Sequence, residues 1–150
     1  MSTTYISASL RRQILERAAD CCEYCHIHQS DQFFTFEIDH IIAEKHGGVT
    51  QADNLCLACA DCNAFKGSDV ASVDWEDDAK IVGLYHPRLH QWNTHFRIIQ
   101  ETGEIEPLTP EARVTIRLLR INDPERVTDR KLLIDAGRYP CENRHNDLMT

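Results

Sequence analysis

The sequence predicts a small α+β protein in which a β-rich segment lies between one N-terminal helix and further helices near the C-terminal end. Three observations support this fold class. Apolar residues recur at helical spacing over residues 10–18, and aromatic and β-branched residues are enriched over residues 33–42. Towards the end of the chain, Pro110 and Pro124 each follow a residue that commonly caps a helix.

The chain has 150 residues, the usual size of one domain, and we therefore expect a single domain over residues 1–150. Within it, residues 1–19 are expected to form the N-terminal helix, residues 20–70 the core, and residues 71–150 a mainly helical extension. The chain starts without a basic-then-apolar leader, and it contains no apolar run of roughly 18 residues, the length that crosses a bilayer. We therefore expect a cytoplasmic protein with no membrane partner.

The first helix is predicted to begin at Ser7 or Ser9, because a serine hydroxyl accepts a hydrogen bond from the unpaired N–H groups of a first turn. Residues 33–42 predict a strand. The glycine pair at 47–48 then predicts a turn into a short return strand near Val49. Together these segments predict a β-hairpin.

After the hairpin, residues 57–65 have a helix-compatible composition, and this helix is predicted to end at Gly67. The acidic residues within 68–80 predict a solvated connector around a packed Trp75. Two helices follow near the C-terminal end, and the second of them is predicted to stop at Gly137.

Two Cys-x-x-Cys pairs flank the predicted hairpin and could together complete one tetrahedral structural zinc site. The four candidate ligands are Cys22, Cys25, Cys59 and Cys62. In a reducing compartment, metal binding explains the paired spacing better than disulfides do. Cys21, Cys56 and Cys141 are each expected to be a buried or free thiol, although Cys21 could compete with Cys22 as a ligand. His26 and His28 are expected to be exposed loop residues, with His26 in place of one thiolate as the alternative.

Between the cysteine pairs, Asp39 and His40 are adjacent, while Asn54 comes later and Asn63 directly follows the last cysteine. Carboxylate, amide and imidazole groups are harder ligands than thiolates, and they suit a second, catalytic cation. Adjacent residues on a regular strand point to opposite faces. Both side chains of the Asp-His pair therefore reach one site only if the strand ends or bulges there, and we expect such an irregularity.

These motifs, in this order, resemble those of the HNH endonuclease family, also described as ββα-metal or His-Me finger nucleases, in the variant braced by a four-cysteine zinc site. The resemblance covers residues 22–67 and rests on six linked elements. They are Cys22-x-x-Cys25, Ile38-Asp39-His40-Ile41, Gly47-Gly48, Asn54-Leu55, Cys59-x-x-Cys62-Asn63 and Lys66-Gly67. Within the predicted α+β fold, the resemblance implies a ββα-metal core with a structural zinc knuckle.

The resemblance further implies metal-dependent hydrolysis of DNA phosphodiester bonds, with DNA as the partner and His40 as the general base that activates water. It implies that Asn54 aims His40, and that Asp39 and Asn63 hold a catalytic Mg²⁺ or Mn²⁺ that stabilises the leaving oxygen. Zn²⁺ is implied as the structural ion of the four cysteines. Ala43 stands where the family commonly has a proline, and Asn63 stands where many members have a histidine.

Two other functions stay open at this point, both for a catalytically inactive, zinc-stabilised module that binds either nucleic acid or a protein. The net charge of −8 disfavours tight binding of phosphates. Arg113, Arg117 and Arg120 recur at helical spacing, and they could follow a DNA backbone or pair with carboxylates. Lys66 could contact a phosphate or be an exposed residue at a helix end.

Overall fold

The computed structural model describes residues 4–141, which contain five α-helices and three two-stranded antiparallel sheets. The helices are α1 (Ala8–Ala18), α2 (Ala60–Lys66), α3 (Trp92–His95), α4 (Pro110–Leu118) and α5 (Pro124–Asp135). The strands are β1 (Glu37–His40), β2 (Leu55–Ala58), β3 (Ala71–Asp74), β4 (Lys80–Gly83), β5 (Phe96–Ile98) and β6 (Ile105–Pro107). The predicted α+β class is confirmed.

Helix α1 begins after Ser7, whose hydroxyl accepts a hydrogen bond from the backbone N–H of Leu10 at 3.1 Å. Ser7 is therefore the cap, out of the two serines that the sequence offered. One face of α1 is buried against β2. Near the end of the helix, the Arg17 guanidinium donates hydrogen bonds to the carbonyl oxygens of Ala52 and Leu55, which fastens α1 to the beginning of β2.

Strands β1 and β2 form the predicted hairpin, with Glu37 opposite Ala58 and His40 opposite Leu55. Helix α2 follows β2 after a single residue, so the three elements form a compact ββα unit. The return strand is β2, and the prediction of a return strand near Val49 is wrong. The two strands are instead joined by a long loop, residues 41–54, that contains two single-turn 3-10 helices.

The two glycines lie within this loop and allow it to fold back on itself. They do not form the turn of a hairpin. Gly47 has a φ of 90°, in the left-handed region that other residues rarely adopt. A Cβ atom on Gly48 would lie 1.7 Å from the carbonyl oxygen of Ile42, so the loop folds back directly over its own beginning. The predicted strand over 33–42 is also shorter than expected, because it begins only at Glu37 and leaves Phe33 96% exposed.

The acidic residues 68–80 contain strand β3 and the turn into β4, and the prediction of a connector around a packed Trp75 is wrong. The Trp75 side chain is 62% exposed at the turn. The neighbouring Asp74 is buried, and its carboxylate forms an ion pair with Arg113 of α4 at 2.8 Å. One acidic side chain of this run therefore packs inward with a partner 39 residues away, which the local charge pattern does not indicate.

The two C-terminal helices begin at Pro110 and Pro124, as predicted. The Thr109 hydroxyl caps α4 by accepting a hydrogen bond from the N–H of Ala112. Gly137 follows the end of α5 and has a φ of 72°, in the left-handed region. Buried apolar residues of α1, the ββα unit and α4 form one continuous cluster. Over residues 4–141, none of the helices combines the length and the apolar composition that a bilayer crossing requires.

Candidate active site

Four buried cysteines converge where the loop after α1 meets the beginning of α2. The set consists of Cys22, Cys25, Cys59 and Cys62, whose sulfur atoms all lie within 4.8 Å of one another. The Sγ atoms of Cys25 and Cys59 are 3.8 Å apart. A tetrahedral Zn²⁺ site with bonds of about 2.3 Å places its sulfur ligands about 3.8 Å apart, so the four donors fit that ion.

Each Cys-x-x-Cys pair forms the same local turn. The N–H of Cys25 donates to the Sγ of Cys22 at 3.5 Å, and the N–H of Cys62 donates to the Sγ of Cys59 at 3.4 Å. In the second pair this bond also caps the N-terminus of α2, because Cys59 is the residue that precedes the helix. The sulfur cluster therefore fixes where α2 begins relative to the loop that follows α1.

Asp39 and His40 lie at the end of β1, and their side chains point to opposite faces. Both residues pair regularly with β2, so the strand has no bulge at this step. The predicted irregularity is instead the end of the strand, which stops at His40. The Asp39 carboxylate faces α2, where its Oδ2 atom contacts the Nζ of Lys66 at 3.0 Å and the hydroxyl of Tyr24 at 3.3 Å.

Lys66 is only 2% exposed, and the interpretation of it as an exposed residue at a helix end is wrong. Its ammonium group binds the Asp39 carboxylate and also donates to the carbonyl oxygen of His40 at 3.2 Å. Burial raises the pKa of Asp39, and the Lys66 ammonium and the Tyr24 hydroxyl partly offset that rise. A single side chain of α2 thus ties the helix to both residues at the end of β1.

The His40 side chain lies on the other face, within the long loop. Its Nε2 atom is 2.9 Å from the hydroxyl of Thr50 and 3.5 Å from the carboxylate of Glu44. Within residues 4–141 the Nδ1 atom of His40 has no hydrogen-bond partner, and part of its surface is accessible to solvent. His40 therefore has one nitrogen held by the loop and one that water can reach.

Asn54 is buried and closes the loop with three hydrogen bonds. Its Oδ1 accepts from the N–H of Ile42, and its Nδ2 donates to the carbonyl oxygens of Ile42 and Val49, each at 2.9 Å. These bonds hold Ile42 and Val49, the two ends of a segment that contains Glu44 and directly precedes Thr50. Asn54 therefore holds the loop beside His40 and forms no hydrogen bond with the ring.

Replacing Asn54 with alanine is expected to lower the free energy of unfolding by about 2 kcal/mol, because three part-buried hydrogen bonds to the backbone of Ile42 and Val49 are lost. Urea unfolding followed by circular dichroism measures this change. The matched control is Gln51→Ala in the same loop, where the amide is exposed and caps no helix. Equal stability of the two variants would contradict the role given to Asn54.

Asn63 lies in α2, directly after Cys62 and one helical turn before Lys66. Residues three apart in a helix share a face, and Lys66 contacts Asp39. Asn63 is half-buried, and within residues 4–141 its side chain forms no hydrogen bond. Its amide group is therefore available on the helix face that adjoins the end of β1.

This arrangement agrees with a comparison against known protein families. Residues 22–69 match the family model described as HNH endonuclease. These residues form an HNH domain. The match begins at Cys22, includes the ββα unit, and ends shortly after α2. A search of curated proteins finds no match to the chain. The family supports a nuclease-type function in general, and the four-cysteine cluster fits its zinc-braced variant.

Arg126 of α5 contacts the cysteine cluster of the HNH domain, and sequence reasoning missed it. Its NH2 atom lies 3.0 Å from the Sγ of Cys62 and 3.8 Å from that of Cys59, while NH1 donates to the carbonyl oxygen of Leu119. Burial alone would lower the pKa of Arg126, but the thiolates outweigh it and raise the pKa. Because Arg126 is 64 residues from Cys62, no local signal indicates the contact.

Four thiolates and one Zn²⁺ carry a net charge of −2, which a buried guanidinium partly compensates. Replacing Arg126 with methionine is therefore expected to speed the release of zinc to a chelating dye by about tenfold or more. The matched control is Arg97→Met, since Arg97 is exposed and pairs with Glu106. An unchanged release rate in the Arg126 variant would contradict this contribution.

The cysteines outside the cluster differ in part from the prediction. Cys21 and Cys141 form a disulfide, with Cα atoms 6.1 Å apart, so the expectation of free thiols is wrong for both. Their separation of 120 residues hides the pairing from a reading of local spacing. Cys56 is a buried free thiol, as predicted.

The expectation of an exposed His26 is also wrong, because its half-buried ring stacks on Trp92 with centroids 4.1 Å apart.

Proposed function

We propose that the protein hydrolyses DNA phosphodiester bonds in a reaction that depends on a divalent cation. The observation that carries this proposal is the placement of His40 in the HNH domain, at the end of β1, with one ring nitrogen held by Thr50 and the other reachable by water. This arrangement suits a general base. Imidazole titrates near neutral pH, and a base must present an open nitrogen to the proton that it removes.

In the proposed reaction, the Nδ1 atom of His40 takes a proton from a water molecule as the water oxygen attacks the phosphorus atom. The bond between phosphorus and the 3′ oxygen breaks, and the leaving oxygen then takes up a proton from solvent. Thr50 and Glu44 hold the Nε2 side of the ring, so the base keeps its orientation. Asn54 contributes as a positioning residue, because it fixes the loop that carries these two contacts.

Asp39 and Asn63 are the residues proposed to hold the catalytic cation. Because β1 ends at His40, a phosphate bound at that end of the strand would have this cation on one side and His40 on the other. Lys66 and Tyr24 both bind the Oδ2 atom of Asp39, whereas Oδ1 has no hydrogen-bond partner within residues 4–141 and is not sealed from solvent. Carboxylate and amide oxygens suit Mg²⁺ or Mn²⁺. When bound, such a cation stabilises the charge that develops on the phosphate and on the leaving oxygen. The four cysteines are proposed to hold structural Zn²⁺.

Incubation of supercoiled plasmid with the purified protein, with and without Mg²⁺ or Mn²⁺, tests the proposal. Cation-dependent nicking or linearisation supports it, and the same reaction in a His40 variant shows whether the activity belongs to this site. Binding of DNA without cleavage would instead support an inactive nucleic-acid-binding module. A protein that neither binds nor cleaves DNA would favour a zinc-stabilised protein-interaction domain.

A further inference from the structure

Two exposed arginines, one in the last turn of α4 and one just after it, each stack on an aromatic ring. The guanidinium carbon of Arg117 lies 5.9 Å from the centroid of the Trp75 ring, and that of Arg120 lies 4.7 Å from the centroid of the Phe65 ring. Both distances are within the range of cation–π contacts. We call these four residues the arginine–aromatic surface.

The positive charges of Arg117 and Arg120 are not paired with carboxylates among residues 4–141. Arg113, one turn earlier in α4, pairs with Asp74 at 2.8 Å and with Glu76 at 3.4 Å. Asp77, in the same hairpin turn, pairs with Lys80. Arg117 and Arg120 form no ion pair with any residue in 4–141. Arg113 and Lys80 thus offset two of the four carboxylate charges in this hairpin, and neither Arg117 nor Arg120 takes part.

Stacking on an aromatic ring restricts the conformations of these two arginine side chains before a ligand binds. A long arginine side chain loses rotamer freedom when it binds, and the Trp75 or Phe65 ring removes part of that freedom beforehand. The edges of a stacked guanidinium stay free to donate hydrogen bonds, and phosphate oxygens match their geometry. Arginines combined with exposed aromatic rings are typical of surfaces that follow a nucleic-acid backbone.

The surface is connected to the proposed active site through α2. Phe65 lies two residues after Asn63 in α2, so its ring is on a different face of the helix that carries this proposed cation ligand. Trp75 lies at the turn of the β3–β4 hairpin, whose strands both contact α4. The arginine–aromatic surface therefore extends from the HNH domain into the C-terminal extension.

We propose that the arginine–aromatic surface binds the phosphate backbone of the nucleic-acid substrate at nucleotides beyond the cleaved bond. This inference rests on the proposed function and gives the C-terminal extension a role in it. In a chain of net charge −8, the proposal assigns phosphate binding to these two guanidinium groups because they form no ion pair within residues 4–141. The other sequence interpretation, in which the arginines pair with carboxylates, holds for Arg113 alone.

The test measures binding separately from cleavage. Affinity for a short fluorescein-labelled DNA duplex is measured by anisotropy at several salt concentrations, in the His40→Ala background with Mg²⁺ present. The Arg117→Gln/Arg120→Gln double variant is expected to bind about tenfold or more weakly. The slope of log K against log salt concentration is expected to decrease in magnitude by about 1.8, because two phosphate contacts are lost at about 0.9 each.

The matched control is the Arg11→Gln/Arg12→Gln double variant in α1, which makes the same charge change at two exposed arginines without ion pairs in residues 4–141. It is expected to keep the salt slope. Equal slopes for the Arg117/Arg120 variant and its parent would overturn the surface assignment, as would equal losses in both double variants. If the native protein cleaves plasmid while the slopes stay equal, the proposed function stands alone; if it neither binds nor cleaves DNA, both proposals fail.

Discussion

Replacing His40 with alanine is expected to reduce the rate of plasmid cleavage by about 100-fold or more. General-base catalysis by a positioned side chain contributes on the order of 10²- to 10⁴-fold, and His40 presents the only open imidazole nitrogen proposed for this step. Within residues 4–141 the polar contacts of the removed ring are those with Thr50 and Glu44, both in the loop that follows β1. The measurement is the initial rate of nicking at saturating Mg²⁺ or Mn²⁺.

The matched control is His46→Ala, in the same loop. His46 is exposed, and its Nε2 atom contacts only the carbonyl oxygen of Ser68. Both variants should retain zinc and the circular dichroism spectrum of the native protein. If the His40 variant cleaves at the native rate, His40 is not the base; if the His46 variant loses as much activity, the loop and not the imidazole is responsible.

Much of the HNH domain could be predicted because its candidate functional residues occur in short motifs that follow one another along the sequence. The two Cys-x-x-Cys pairs each form one local turn, so their spacing alone indicated the four-sulfur cluster. The helix caps are equally local, since Ser7 and Thr109 bind groups three residues further along. Within each cysteine pair and each cap the partner lies within one helical turn, and the residue pattern is enough to identify it.

The errors concern contacts between residues that are distant in sequence. The position of Lys66 at a helix end predicts exposure, but its environment is set by Asp39, 27 positions earlier on the neighbouring strand. The glycine pair resembles a hairpin turn and therefore predicts a return strand near Val49. The structure uses Gly48 to bring the loop against Ile42, and Asn54 then holds the loop. Local propensity does not contain this information.

The same reason explains why the C-terminal extension could not be connected to the site from the sequence. The amphipathic pattern and the proline starts predicted α4 and α5 correctly. They gave no indication that Arg126 would reach the sulfur atoms of Cys62 or that Arg120 would stack on Phe65. Both contacts join the extension to α2, so the extension supports the helix that carries Asn63.

The second large effect is expected from the zinc site. Replacing Cys62 with serine, or removing zinc with a chelator, is expected to abolish DNA cleavage even when Mg²⁺ is supplied in excess. A structural zinc site contributes on the order of 10 kcal/mol of binding free energy to folding, which is comparable with the whole stability of a typical domain. Without the ion, the cluster no longer fixes the start of α2, and Asn63, the residue after Cys62, loses its position.

The experiment follows zinc content, circular dichroism and plasmid cleavage together as a chelator is added, with Mg²⁺ restored before each assay. The matched control is Cys56→Ser, the same substitution at a buried free thiol outside the cluster. That variant is expected to keep its zinc, because only Cys22, Cys25, Cys59 and Cys62 converge among the residues in 4–141. A Cys62→Ser protein that cleaves DNA at the native rate would show that the position of Asn63 does not depend on the sulfur cluster. Loss of zinc and activity at one chelator concentration, with α4 and α5 still helical, would instead show that the ion organises the HNH domain and not the whole chain.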